Sequence, residues 1–507
     1  MMMHTSTTHT SARARPPDAL VCVGRRWARS SLALAGLAAR IRSRMPQCDA
    51  AAPTVDVCHR HNGGYVEVRD MSLDRWLVLR VAGPHPQVVL FDRAKPDSSR
   101  WHANFQLCSA GRYTLHVRAL MQRPWSTWED NWSTSNSTAP TCAGPWAEGV
   151  ILQRYELLVH SNRSNVGEAC GAGMWSWRTD EPWQLNNSLI EDIQAAPHPN
   201  RSSLIRIFSG LRFQEAHAQP LPARPALWSP PSIFAADASP EPQQQPLTVC
   251  LLGDSQLRTL TDGMVQLMRS ARGGAACGCE LDASSPPIAP CPKIGGGASC
   301  ERPLCRSRNV TAFYMRSNYG TEVTTQGTKK RLGERCGVLL VNSGHWWASA
   351  KRKPTPPYEP RTPGSYAKEV EVQMIHLRNI SQRFRLPVTW VASNPYPINA
   401  GGPSYANRLS RPYDMATCPT NERRFPHLLR GYNKAARQIA EAHGIEYLDT
   451  WEVALPLFDL SADNAHYAWG DSPVARPQAA RALNWALRAL ALRLPCLGAE
   501  GAAQLLA

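Results

Sequence analysis

The sequence predicts an α/β protein: a three-layer α/β/α sandwich on a mainly parallel sheet, preceded by a small β-sandwich. Three observations predict it. Between residues 52 and 165, short runs alternate apolar and polar side chains. From 247 onward, continuous apolar runs alternate with segments of helical spacing. Between the two, a Pro-, Ala- and Gln-rich stretch over 217–246 (PLPARPALWSPPS, SPEPQQQP) reads as an extended linker. A chain of 507 residues also exceeds one ordinary core. Hydrophobic residues at 43% and charged residues at 19% exclude a wholly disordered chain.

The first 50 residues read as a basic leader, expected to be largely disordered. They hold eight Arg, no Lys and only Asp18 and Asp49 as acids, and so carry +6 of the net +16. The apolar run LALAGLAA at 32–39 follows Arg25, Arg26 and Arg29. A basic flank before a short apolar run resembles a signal peptide, while an Arg- and Ser-rich, acid-poor start equally resembles an organelle transit peptide. No stretch reaches the ~18 apolar residues of a membrane-spanning helix. Beyond the leader no Lys/Arg block is long enough to track a phosphate backbone, so nucleic acid is not the expected partner.

Residues 52–165 are assigned to the β-sandwich. YVEV at 65–68, WLVL at 76–79 and YTLHV at 113–117 have a period of two, and NGG at 62–64 and AG at 110–111 supply turns. The phrase CSAGRYTLHV at 108–117 resembles the late hairpin strand of immunoglobulin-like domains, a likeness confined to that strand. Residues 166–216 are Trp-rich without clear periodicity, and with the linker they make up a connecting segment, 166–246.

A second domain is expected over 247–496. LTVCLL at 247–252 is a buried-type strand, and 256–272 has helical spacing through Leu257, Leu260, Met264, Leu267 and Met268. GVLLV at 337–341, PVTWVA at 387–392 and IEYLD at 445–449 are further strands. Helices fit 366–384 and 422–443, the latter closed by Gly444. A last helix fits 473–494, with Ser472 as N-cap and Pro473 in first position. Strands alternating with helices give a parallel sheet covered on both faces.

Two features point to the secretory pathway, Golgi lumen or extracellular, with the organelle-targeted alternative left open by the leader. Apart from Cys22, the cysteines number an even 14 of the total 15, as where disulfides persist. The densest group is Cys277, Cys279, Cys291, Cys300 and Cys305; with no CxxC pair and no His among them, zinc is disfavoured. N-x-Ser/Thr occurs at Asn131, Asn136, Asn162, Asn186, Asn200, Asn309 and Asn379.

In parallel α/β sheets, sites form at the carboxyl ends of strands. Gly253-Asp254-Ser255 follows the first buried strand, so Ser255 would stand on a strand-to-helix turn, near helix N-terminal N–H groups suited to an oxyanion. The tripeptide alone is weak, since it recurs as Gly470-Asp471-Ser472, where no apolar strand precedes it and Ser472 is better read as a cap. A nucleophilic Ser needs a base and an orienting group. Asp463 stands three residues before His466, a spacing at which a carboxylate holds the useful imidazole tautomer. After GVLLV comes Asn342-Ser343-Gly344-His345-Trp346-Trp347. Here an Asn amide can act as oxyanion donor, Gly344 permits close backbone approach, and a Trp either stacks on sugar or fills a core.

Strand–GDS–helix, strand–Asn–x–Gly and D-x-x-H, in that order, resemble the SGNH (GDSL-type) hydrolase superfamily. VCLLGDSQLR and LLVNSGHWW, with NVTAFYMRSNYG, VTWVASNPYP, YLDTW and DNAH, resemble its PC-esterase branch. That branch includes the trichome-birefringence-like polysaccharide O-acetyltransferases and the neurexophilin-and-PC-esterase-domain proteins. The resemblance spans 247–495 and implies an SGNH-like α/β/α fold. By it, Ser255 is nucleophile, His466 general base and Asp463 its partner. The Ser255 N–H, Asn342 and Gly320 would form the oxyanion hole, and Gly344, His345 and Trp346 would contact substrate. The branch's D-C-x-H-W-C reads D-N-A-H-Y-A here, so disulfides anchoring that loop are absent or rerouted. The implied activity is serine-dependent acyl transfer between an acetyl donor and a polysaccharide or other glycan acceptor. A carbohydrate acetylesterase with the same triad and a non-catalytic glycan-binding or cell-surface protein stand as alternatives. No metal or nucleotide motif is present, so no cofactor is expected.

Overall fold

A computed structural model describes residues 21–25, 54–60, 63–69, 75–83, 87–93, 99–107, 111–122, 150–159, 175–179, 211–215, 247–269, 299–305, 309–348, 362–395, 426–457, 466–467 and 475–490. The linker at 217–246 and the cap at Ser472–Pro473 lie outside them.

Strands β1 (Val21–Arg25), β2 (Thr54–Arg60), β3 (Gly63–Arg69), β4 (Arg75–Ala82), β5 (Gln87–Leu90), β6 (Asp92–Arg93), β7 (Arg100–Gln106), β8 (Gly111–Gln122) and β9 (Val150–Val159) make two antiparallel sheets. Their orders are β1-β2-β3-β7-β6 and β5-β4-β8-β9. The period-two runs place alternate residues inside. Val66, Val68, Trp101, Ala103 and Phe105 from one sheet meet Leu77, Leu79, Val81, Tyr113, Leu115 and Val117 from the other. One strand falls within the expected leader: Val21–Arg25 pairs antiparallel with β2, Val21 opposite His59 and Arg25 opposite Val55. Its short alternation was hidden by the basic composition around it. In the Trp-rich segment, β10 (Trp175–Thr179) and β11 (Leu211–Glu215) pair antiparallel, a contact between segments over thirty residues apart that local periodicity does not signal.

The second region is a six-stranded sheet ordered β13-β14-β12-β15-β16-β17. Its strands are β12 (Leu247–Gly253), β13 (Ser299–Cys305), β14 (Val310–Arg316), β15 (Val338–Val341), β16 (Val388–Val391) and β17 (Glu446–Leu448). All neighbours are parallel except the edge pair β13–β14. The helices are α1 (Ser255–Arg269), α2 (Gln326–Arg335), α3 (His345–Ala348), α4 (Pro363–Phe384), α5 (Pro426–Ala442), α6 (Trp451–Ala454) and α7 (Ala475–Ala489).

Strand alternation sorts the core onto two faces. Val249, Leu251, Val338 and Leu340 pack with Leu257 and Met264 of α1 and Leu483 and Ala486 of α7. Cys250, Leu252, Leu339 and Val341 pack with Val370 and Met374 of α4 and Leu429, Tyr432 and Ala436 of α5. The sheet is therefore a middle layer between two layers of helices, as predicted. Helix α4 starts three residues earlier than its apolar spacing suggested. The Thr362 hydroxyl accepts the Ser365 N–H at 3.1 Å and Pro363 opens the helix, a cap that periodicity alone does not register.

Cys250 and Cys336 form a disulfide that ties the central strand to the residue capping α2. Cys300 and Cys305 are also disulfide-bonded, which removes both thiolates from metal ligation. Among the described residues no helix is long and apolar enough to cross a membrane. The β-region meets the α/β-region at α5. There His427 Nε2 lies 3.2 Å from the Leu77 carbonyl, and Arg430 donates to the Leu90 carbonyl at 3.0 Å and pairs with Asp92.

Candidate active site

Strand β12 runs into α1 through one residue, Asp254. Asp254 is buried, and its Oδ1 accepts the Gln256 N–H at 2.8 Å, while its carbonyl accepts the Arg258 N–H at 3.2 Å. This carboxylate shapes the turn. Ser255 consequently opens α1 at the carboxyl end of the central strand, half-buried. Its N–H belongs to the first turn, where no intrahelical acceptor exists. Behind the turn, the Tyr314 hydroxyl donates to the Gly253 and Asp254 carbonyls, both at 3.1 Å. Burial first, and then the Asp254 charge, push that phenol well above its usual range, so it stays a neutral donor.

The neighbouring strand ends supply the remaining loops. After β14, Ser317 donates its N–H to the Gly253 carbonyl at 2.8 Å, and Gly320 adopts φ +73°, where a side chain is disfavoured. The Gly320 N–H is donated to Ser317 Oγ at 2.9 Å. It is thus spent inside its own turn in this structure. After β15, Asn342 Nδ2 donates to the Val391 carbonyl at 2.7 Å and to Ser393 Oγ at 3.3 Å. Both amide hydrogens serve to join β15 to β16, so the expected donor also faces protein in this structure. The physical reason is shared: a buried N–H takes the nearest acceptor its loop offers.

Gly344 permits a close approach of the loop after β16: a Cβ there would lie 1.7 Å from Ser393 Oγ. His345 is 4% exposed, with Nε2 at 2.7 Å from the Asn394 carbonyl and Nδ1 at 3.3 Å from Gln256 Nε2. Both nitrogens are engaged by protein. Trp346 is half-buried. Its neighbour Trp347 donates Nε1 to the Tyr319 carbonyl at 3.1 Å and meets the Tyr319 ring edge-on at 5.1 Å.

His466 is half-buried and is followed by Tyr467, which is fully buried. Asp463 lies outside the described residues. Among the described residues no group of three or more His, Cys, Asp and Glu could hold a metal ion. Three buried amides that sequence reasoning did not single out also stand at this edge: Gln256, Asn394 and Gln478. Asn394 lies in the SNPYP stretch, and Gln256 directly follows the serine; neither is signalled by periodicity, because both are polar residues inside.

Fold and edge residues together describe a mixed α/β protein with Ser255, Asn342 and His345 at the carboxyl ends of a mainly parallel sheet. No protein-family model and no curated protein sequence matches the chain. Among solved structures it is similar to an acetylxylan esterase from Geobacillus stearothermophilus at 11% identity, covering 49% of this chain and 96% of that one, TM-score 0.27. It is similar to a lipase/acylhydrolase from Enterococcus faecalis at 13% identity, covering 48% and 96%, TM-score 0.27. A GDSL-like lipase from Bacteroides thetaiotaomicron is matched at 11% identity, covering 50% and 93%, TM-score 0.28. These likenesses are distant, and nothing about the chemistry of this chain rests on them.

Proposed function

We propose that this protein is an SGNH-type enzyme of the PC-esterase kind that transfers an acetyl group through Ser255, and that its acceptor is a glycan hydroxyl. The observation that carries the proposal is the position of Ser255, opening α1 at the end of the central strand on a turn capped by Asp254. Residues 52–165 and 247–496 are proposed as its two domains, and the secretory pathway as its compartment. Asn309 and Asn379 are exposed, as glycan acceptors must be.

In the proposed mechanism, Ser255 Oγ attacks the acetyl carbonyl while His466 takes its proton, with Asp463 holding the imidazole. The oxyanion that forms is met by the Ser255 N–H; one such donor contributes roughly 2.7–4 kcal/mol. Collapse expels the donor's alkoxide, which receives the proton from His466, and leaves acetyl-Ser255. A sugar hydroxyl then gives its proton to His466, attacks the acetyl carbonyl and regenerates Ser255 as the proton returns to it. Water in place of the sugar gives the acetylesterase, the second reading, with the same covalent intermediate.

The test compares wild type with Ser255→Ala on a chromogenic acetyl ester, with and without glycan acceptors. We expect the substitution to lower turnover by at least about 10⁴-fold. Acetylated glycan selects the transferase; acetate alone under all acceptors selects the esterase. Wild type and variant equally inert over a broad ester and glycan panel would overturn the enzyme reading in favour of a glycan-binding protein.

A further inference from the structure

We infer that Gln256, His345, Asn394 and Gln478 form one directional hydrogen-bond network that holds Ser255 in its reactive position at the start of α1. The inference rests on the reading of Ser255 as nucleophile. The four side chains are 5%, 4%, 6% and 1% exposed. They follow β12, β15 and β16 in spatial order and end on α7, so they stitch successive strand ends across the carboxyl edge of the sheet.

Backbone carbonyls, which only accept, fix every orientation. The Asn394 carbonyl, 2.7 Å from His345 Nε2, requires that nitrogen to carry the proton. Neutral His345 Nδ1 is then an acceptor, and Gln256 must turn its Nε2 toward it at 3.3 Å. That leaves Gln256 Oε1 to accept from Asn394 Nδ2 at 2.8 Å. Asn394 Oδ1 in turn accepts from Gln478 Nε2 at 2.7 Å, and Gln478 also donates to the Thr450 carbonyl at 3.1 Å. Asn394, Gln256 and His345 thereby close a ring that returns to the Asn394 backbone. No member can reverse without setting two donors or two acceptors face to face, a costly state when buried.

The residue after the nucleophile is therefore held twice, its N–H by Asp254 and its side chain by the ring. At the other end Gln478 sits on the first turn of α7 and ties the network to the Thr450 carbonyl. These are positioning residues: they act on the reaction through the placement of Ser255. A displacement of the nucleophile by about 1 Å costs about 10²-fold in rate.

The test uses the full chain with Gln256→Met, His345→Leu and His345→Gln. Gln keeps one donor and one acceptor at 345, whereas Leu and Met supply neither. We expect Gln256→Met and His345→Leu to lower kcat by about 100-fold with KM held within about twofold. His345→Gln should recover to within about fivefold of wild type, and labelling of Ser255 by a fluorophosphonate should follow the same order. Hydrogen exchange of the 254–258 segment should quicken in the Met and Leu variants alone, a readout independent of catalysis and still decisive if Ser255→Ala proves the enzyme reading wrong. Wild-type kcat in a folded Gln256→Met protein, equal losses for Leu and Gln at 345, or unchanged exchange would each overturn the network. Should Gln256→Met fail to fold, the Leu–Gln contrast at 345 decides alone.

Discussion

Among the described residues, the two regions of the molecule differ in the polar groups they bury. The two sheets of the β-sandwich meet through aliphatic and aromatic side chains, Trp101, Phe105 and Tyr113 among them, and the region buries one imidazole, His116, on β8. At the carboxyl edge of the parallel sheet, the interior holds Asp254, Gln256, Asn342, His345, Asn394 and Gln478. Buried polar groups weaken a core unless each is paired, so an edge dense in them is a place where geometry has been favoured over simple burial. The sheets of the sandwich differ as well. Strand β7 alternates exposed or half-buried residues with buried ones, as a strand with one wet face must. Strand β4 does not: Leu77 and Leu79 face the sandwich core while Val78 joins the core beside α5. One sheet faces solvent and the other docks.

That docking is the first thing to break. Leu79→Ala in the sandwich and Leu340→Ala in the parallel sheet should each cost about 2–5 kcal/mol. Urea unfolding followed by Trp fluorescence and far-ultraviolet dichroism should show whether the regions melt together through α5. Two separated transitions would make the sandwich an independent unit. Replacing Cys250 and Cys336 together by Ser should cost about 2–5 kcal/mol, felt in the α/β-region, because the bridge closes a loop of 86 residues.

Smaller effects are expected at the contact itself. Arg430→Ala removes a charged donor from the Leu90 carbonyl and from Asp92 and should cost about 1–3 kcal/mol. His427 is buried, and burial followed by the nearby Arg430 charge holds its pKa well below the ordinary value. The unfolded chain therefore takes up a proton as pH falls through about 6.5 while the folded chain does not. Stability should fall as pH drops below about 6.5 and be insensitive above it. His427→Gln should flatten that dependence, read as denaturation midpoints at neutral and mildly acidic pH. Least of all, Asn379→Gln should leave stability within about 0.5 kcal/mol, yet remove a glycosidase-sensitive mobility shift in protein from a secretory host.

The sequence by itself determined the elements whose residues signal locally. Continuous apolar runs foretold β12, β15 and β16, period-two runs foretold β3, β4 and β8, and the spacing from Leu257 to Met268 foretold α1. The position of Ser255 was legible because a strand, a turn and a helix follow one another without a gap. Strands β13 and β14 and helix α2 were not foretold. Glu301, Arg302 and Pro303 interrupt the first, and α2 is a polar helix in which only Leu332 is buried. Only the tertiary structure decided what the polar residues do. Asn342 and Gly320 carry suitable donors, but whether a donor meets an oxyanion or a neighbour depends on which carbonyl or hydroxyl the next strand brings within about 3 Å. Val391, Ser393 and Ser317 filled that place. Likewise His345 became a link in a buried ring because Gln256 and Asn394, 89 and 49 residues away, converge on it. Apolar patterning is written along the chain; hydrogen-bond partners at a strand edge are chosen across it.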